Sequence, residues 1–182
     1  GLTNPVAALE HGTMGWYLAG LELDRNASTF ATGPITPEAD AWGQNASARI
    51  AKHFGVKSLS LKELETWQSE AEKHSLYILD VRYLKEYEDG HLPGSRPAPG
   101  GQIAGSSGHY IATLNARIVL VDDTEVRATV IAAFLLQQGF KDVRVLKGGI
   151  KHKILEYGPY HPPLAELTGL EIESCTTREL EV

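Results

Sequence analysis

The chain is 182 residues long, enough for one domain with a buried core plus additional segments. Hydrophobic residues make up 42%, charged residues 22%, and the formal net charge is -6; with no basic run beyond the short, solvated stretch 147–153, neither a nucleic-acid face nor a nucleic-acid partner is expected. A single cysteine, Cys175, excludes an internal disulfide framework and suits a reducing, cytoplasmic compartment, and no apolar run approaches the ~20 residues of a membrane span, so no membrane partner is expected.

Val6, Ala7, Ala8 and Leu9 read as the end of a strand. A turn at Gly12 and a short helix carrying Met14, Trp16, Tyr17 and Leu18 follow, stopped by Gly20. The chain opens on Gly1, and these residues read as the interior of a longer sequence. Residues 24–37 turn to Asn, Ser, Thr, Gly and Pro, a linker composition. Thr36 then offers an N-cap and Pro37 a first helical position, which predicts a helix through Trp42 and Ile50 to Gly55. The domain core begins near Val56. Ser60-Leu61-Lys62-Glu63 is a capping box, and Leu61, Leu64, Trp67 and Ala71 recur at helical spacing. Leu76-Tyr77-Ile78-Leu79 is a short apolar run of the kind a strand buried on both faces shows. Gly90 and Pro93-Gly94 mark turns, and residues 96–108, rich in Gly, Ser and Pro, read as loop. Ile118-Val119-Leu120-Val121 is a second buried strand, residues 125–138 a largely apolar helix ended by Gly139, and Val143-Arg144-Val145-Leu146 a third strand. Gly148-Gly149 turns into a last helix reaching Tyr157. Strands alternating with helices predict an α/β fold with a parallel sheet covered by helices on both faces.

Two self-similarities organise the chain. Val6-Ala7-Ala8-Leu9-Glu10-His11-Gly12 resembles Val143-Arg144-Val145-Leu146-Lys147-Gly148-Gly149, and Ser58-Leu59-Ser60-Leu61-Lys62-Glu63-Leu64-Glu65 resembles Ser174-Cys175-Thr176-Thr177-Arg178-Glu179-Leu180-Glu181. They occur in the order end, start, end, start, as a tandem array requires. The expected organisation is the tail of a preceding repeat (1–23), a linker with a helix (24–55), one whole domain (56–160), and the start of a following repeat (161–182).

The same residues resemble the rhodanese (sulfurtransferase) superfamily. Leu79-Asp80-Val81-Arg82, then Glu86-Tyr87-Glu88-Asp89-Gly90-His91-Leu92-Pro93-Gly94-Ser95, is similar to that family's first signature; strand 118–121 with the loop ending at Arg127 is similar to its active-site strand, loop and helix. Val143 to Gly149 is similar to the strand and double glycine that follow, and the Ala98-Pro99-Gly100-Gly101 loop to bacterial proteins with several such domains in one chain. The resemblance implies a rhodanese-like three-layer fold and no cofactor. It implies chemistry on a cysteine whose thiolate, its pKa lowered by loop amides and a helix N-terminus, takes a sulfane sulfur from a donor such as thiosulfate and passes it on as a persulfide. In this chain the loop reads Asp122-Asp123-Thr124-Glu125-Val126-Arg127, with Asp122 at the cysteine position. A carboxylate forms no persulfide, and three acidic side chains repel a small anion, so an inactive domain partnered by neighbouring rhodanese-like domains of the same chain is expected; a cysteine in such a neighbour would leave the whole protein active. Cys175 falls in the segment resembling a domain start and reads as incidental.

Other readings of these residues are blander. Asp122 followed by Glu125 resembles a capping box at a helix start. The acidic loop could instead hold a cation, a basic peptide or a neighbouring domain. Asp80 and Arg82 fit loop-fixing hydrogen bonds, and His91 a structural histidine. His109, His152 and His161 are isolated, and no metal site is expected. Val119-Leu120-Val121-Asp122-Asp123 also resembles the opening of a phospho-receiver, but no Asp follows Asp142 at a later strand end. An aspartyl nucleophile of the haloacid-dehalogenase kind would want its second Asp two residues on, and here it is adjacent.

Overall fold

The computed structural model describes residues 3–25, 35–151 and 155–162. They form two units, 1–36 and 37–182. In the first, α1 (Gly12–Leu18) opens at Gly12 after His11, both at φ 57, and ends before Gly20 at φ 77. Residues 6–9, read above as a strand end, are irregular and exposed. A strand needs a partner for its backbone groups, and none of the described residues supplies one.

The second unit is built on five parallel strands, β1 (Lys57–Leu59), β2 (Leu76–Asp80), β3 (Arg96–Pro97), β4 (Arg117–Val121) and β5 (Asp142–Leu146), in the order β1-β5-β4-β2-β3. The central strand β4 shows why both faces are covered. Its side chains alternate between two cores, as a pleated strand dictates. Ile118 and Leu120 join Leu79, Val143 and Val145 against Ile103, Ala128, Ala132 and Leu135. Val119 and Val121 join Ile78, Leu146 and Leu59 against Leu64. Those helical residues belong to α3 (Leu61–Ser69) on one face, and to α5 (Gly100–Gly105) and α6 (Val126–Gln137) on the other. The three-layer rhodanese-like arrangement expected from the sequence is the one observed.

The capping box at α3 is present, with Ser60 N donating to Glu63 Oε2 at 2.7 Å and Glu63 N to Ser60 Oγ at 3.3 Å. That helix ends at Ser69, short of Ala71. The linker helix, α2 (Pro37–Phe54), is part of the domain's own unit and packs on α6, where Gln44 Nε2 donates to the Thr124 carbonyl at 2.9 Å. α6 therefore lies between the sheet and α2, which explains its nearly all-round apolar composition.

Two expectations need correction. Residues 96–108 are not loop throughout. β3 adds an edge strand to β2, where Pro97 is tolerated at the sheet margin, and α5 follows, anchored by the fully buried Ile103 and by Gly100 N donating to Val81 O at 3.0 Å. Nor does a helix run from Gly149 to Tyr157. Residues 147–151 form a turn, 152–154 lie outside the described residues, and Glu156 sits in an antiparallel bridge with His91. The segment resembling a following domain start, with Cys175, also lies outside the described residues.

Candidate active-site loop

β4 delivers Asp122 to the carboxyl end of the sheet's middle strand, and α6 begins four residues later. Crevices at the carboxyl ends of parallel strands are where α/β sheets present their chemistry. Asp122 is 1% exposed. Its side chain accepts backbone N–H groups from Glu125 through Oδ1, and from Arg127 at 2.9 Å and Ala128 at 3.2 Å through Oδ2. A carboxylate thus occupies the cradle of loop and helix amides, the place at a helix N-terminus where negative charge is favoured. Burial pushes the Asp122 carboxyl above its usual range, and the amides of Ala128 and Glu125 pull the other way.

The capping box read at Asp122 and Glu125 is not formed. Glu125 is the residue before α6, at φ 65, and makes no side-chain cap. Its Oε1 instead accepts from Gly148 N at 2.8 Å. This left-handed geometry in a residue with a Cβ is costly, and the bond to the 148–149 turn is one interaction that holds it. The same turn closes on Asp122 from below: Ile150 N donates to the Asp122 carbonyl at 3.0 Å, and Gly149, at φ 51, passes so near that a Cβ there would sit 2.1 Å from that oxygen. Thr124 Oγ1 receives only a long contact from Val126 N, 3.4 Å.

Arg127 faces two acids. Its Nη1 and Nη2 each donate to Glu86 at 2.8 Å, the bidentate geometry that suits guanidinium and carboxylate, and Nη2 also reaches Asp123 Oδ1 at 2.9 Å. The Glu86 bonds, then Asp123, hold the guanidinium firmly protonated. The Arg127 bonds set the Glu86 carboxyl below its ordinary value. Glu86 Oε2 also caps α4 (Leu84–Glu88) by accepting from Tyr83 N at 2.9 Å. Sequence reading placed Glu86 in the first signature and Arg127 in the loop; their pairing across the chain carried no local signal. A cavity of about 260 Å³ between Val81, Gly101, Val126 and Val130 opens beside Arg127.

The remaining signature residues form a separate cluster. The Asp80 carboxylate accepts from Arg82 N at 3.1 Å, from Nε at 2.9 Å and from Nη2 at 2.6 Å, and Nη2 continues to the Gly90 carbonyl at 2.7 Å. Both side chains are buried. Burial works against the Arg82 charge, yet Asp80 leaves its pKa raised. Gly90 at φ 149 and Gly94 at φ 74, after Pro93, shape the turn that Arg82 braces. His91 stacks on Tyr87 nearby. The described residues gather no set of three His, Cys, Asp or Glu able to hold a metal ion, and no helix among them is long and apolar enough to cross a membrane.

The family described as "Rhodanese-like domain" matches residues 60–152. "Thiosulfate sulfurtransferase GlpE" of Pseudoalteromonas translucida (strain TAC 125) is 30% identical over 80 residues, covering 43% of this chain and 72% of that protein. Among solved structures, a thiosulfate sulfurtransferase from Pseudomonas aeruginosa superposes with a TM-score of 0.74 at 44% identity over 88% of this chain. The chain spans only 30% of that structure's chain.

Proposed function

The chain belongs to the rhodanese-like domain family, and from that premise we propose that this domain does not itself transfer sulfur and serves as a structural or binding module among neighbouring rhodanese-like domains of a longer sulfurtransferase. The observation that carries this is Asp122. At the position the family resemblance assigns to the persulfide-forming cysteine, its carboxylate takes the amides of Glu125, Arg127 and Ala128, the donors an incoming anion would use. Arg127, the cation of the loop, is engaged by Glu86 and Asp123. Thiosulfate would find those three amides taken and a surplus of negative charge.

The reading of the acidic loop as a cation site is disfavoured on the same grounds. Asp122 is satisfied by N–H groups, Asp123 and Glu86 by Arg127, and Glu125 by Gly148. A cation would have to displace a guanidinium. The whole protein can still be active: coverage of 30% of a 44%-identical thiosulfate sulfurtransferase supports a chain in which a neighbouring domain bears the cysteine. The matching double turns at His11-Gly12 and Gly148-Gly149, left-handed at all four residues, support reading 1–23 as the tail of a preceding repeat.

Thiosulfate:cyanide sulfurtransferase activity tests the proposal. The unaltered chain is expected to form no thiocyanate. In Asp122→Cys combined with Cys175→Ser, the new thiolate would receive the loop amides, and some thiocyanate is expected; adding Asp123→Asn, which removes one charge beside Arg127, should raise it. Thiocyanate from the unaltered chain that disappears in Cys175→Ser would sink the proposal.

A further inference from the structure

A cavity of about 520 Å³ shares no residue with the loop; Tyr87, His91 and Ser95 line it together with Glu156, Tyr157 and Tyr160. The His91 ring is held in place on two sides. It lies flat on the Tyr87 ring, centroids 3.8 Å apart and planes 6° from parallel, and its Nδ1 is 2.9 Å from the Tyr87 carbonyl. A carbonyl can only accept, so Nδ1 carries the proton and, in the neutral ring, Nε2 presents a lone pair. The side chain is 7% exposed, and among the described residues Nε2 makes no hydrogen bond. Its charged neighbour is Glu156 Oε2 at 3.8 Å. That is beyond hydrogen-bond reach, and two acceptors do not bond each other.

Glu156 is fixed by its backbone. His91 N donates to Glu156 O and Glu156 N to His91 O, each at 2.9 Å, and Gly158 N donates to Glu88 O at 2.9 Å. The cavity thus brings two acceptors within 3.8 Å of each other beside tyrosine side chains, and what they lack is a shared donor. An ammonium nitrogen about 2.8 Å from each would satisfy both. Arg96 also lines the cavity, but its guanidinium is turned to the Tyr110 carbonyl at 2.8 Å and over the Tyr77 ring at 5.4 Å. Two acceptors without a third ligand suit an amine better than a metal ion.

We propose that this cavity binds a protonated primary amine, either a free alkylamine or a lysine side chain, through His91 Nε2 and the Glu156 carboxylate.

The test titrates n-butylammonium chloride, and separately N-acetyl-lysine methylamide, into the ¹⁵N-labelled 182-residue chain and follows the His91 ring nitrogens. A saturable shift of Nε2 with n-butylammonium is expected, and Glu156→Gln should weaken binding by about tenfold or more, the worth of a hydrogen bond to a charged group. Glu72→Gln, an exposed site that does not line the cavity, should leave it unchanged. Binding of both probes upholds the proposal with lysine side chains as ligands; binding of n-butylammonium alone upholds it for free amines. No saturable shift, an equal response to sodium acetate, or unaltered affinity in Glu156→Gln would overturn it. The Glu156 side chain is 59% exposed and the bridge is made by backbone, so the substitution should leave the fold intact; if it does not, the Nε2 response of the unaltered chain still decides.

Discussion

Asp122 and Glu86 are two carboxylates at one loop whose surroundings act on them in opposite senses. Glu86 is held below its ordinary pKa of 4.5, first by its hydrogen bonds from Arg127. A carboxyl depressed in the folded state contributes stability that is fully present above its unfolded value and is lost as pH falls through the folded one. Asp122 is raised above 3.8, first by burial, so the folded state keeps its proton longer and its contribution declines as pH rises from 3.8 through the folded value. The pair Glu86–Arg127 can therefore be isolated by pH. Glu86→Gln is expected to cost about 0.5–1 kcal/mol at neutral pH, a figure kept small because both side chains are over a third exposed. The gap between the two proteins should close as pH falls below about 4.5. Urea unfolding across that range measures it, and a gap that persists unchanged into acid would mean that the ion pair is not its source.

At the scale of elements, the loop depends on the turn beneath it. Gly148 and Gly149 both have positive φ, but their surroundings differ: a Cβ on Gly148 meets nothing within 4 Å, and one on Gly149 meets the Asp122 carbonyl at 2.1 Å. Gly148→Ala should thus cost about 1–2 kcal/mol from backbone strain alone. Gly149→Ala should cost clearly more, about 3 kcal/mol or beyond, because backbone must move off backbone. Equal losses in thermal unfolding would contradict the close approach. This turn also marks the limit of what the sequence disclosed. β2, β4, β5 and α6 were legible because apolar runs of strand length and a long apolar helix leave few alternatives. α5 was not, because Gly100 and Gly101 disfavour helix, and it is tertiary packing of Ile103 that holds it. Residues 155–157 carry a pattern compatible with a helix, but pairing of Glu156 with His91 draws the backbone into a bridge. The site divides in the same way. Asp122 and Arg127 stand out by position, whereas the Glu86–Arg127 pair and the His91–Glu156 cavity arise only when distant segments meet.

At the scale of the molecule, the two units differ in what they can sustain alone. Residues 37–182 contain both cores and every strand of the sheet. In the first unit, α1 has seven residues and none is buried, and Val6, Leu9, Met14, Tyr17 and Leu18 are all exposed. Isolated helices shorter than about 12–15 residues are marginal in water, and apolar side chains so arranged require a partner surface. If this unit is the tail of a preceding repeat, that surface is the sheet and helices of the repeat itself. A polypeptide of residues 37–182 is then expected to unfold cooperatively, with the far-ultraviolet circular dichroism of an α/β domain. A peptide of residues 1–36 should show little helix and no thermal transition. On that reading, attaching to it the strands and helices of such a repeat should restore both. A cooperative transition in the isolated peptide would make it a folding unit in its own right, and the repeat reading would then lose its physical basis, since a true domain tail has no core to fold around until its own strands are supplied.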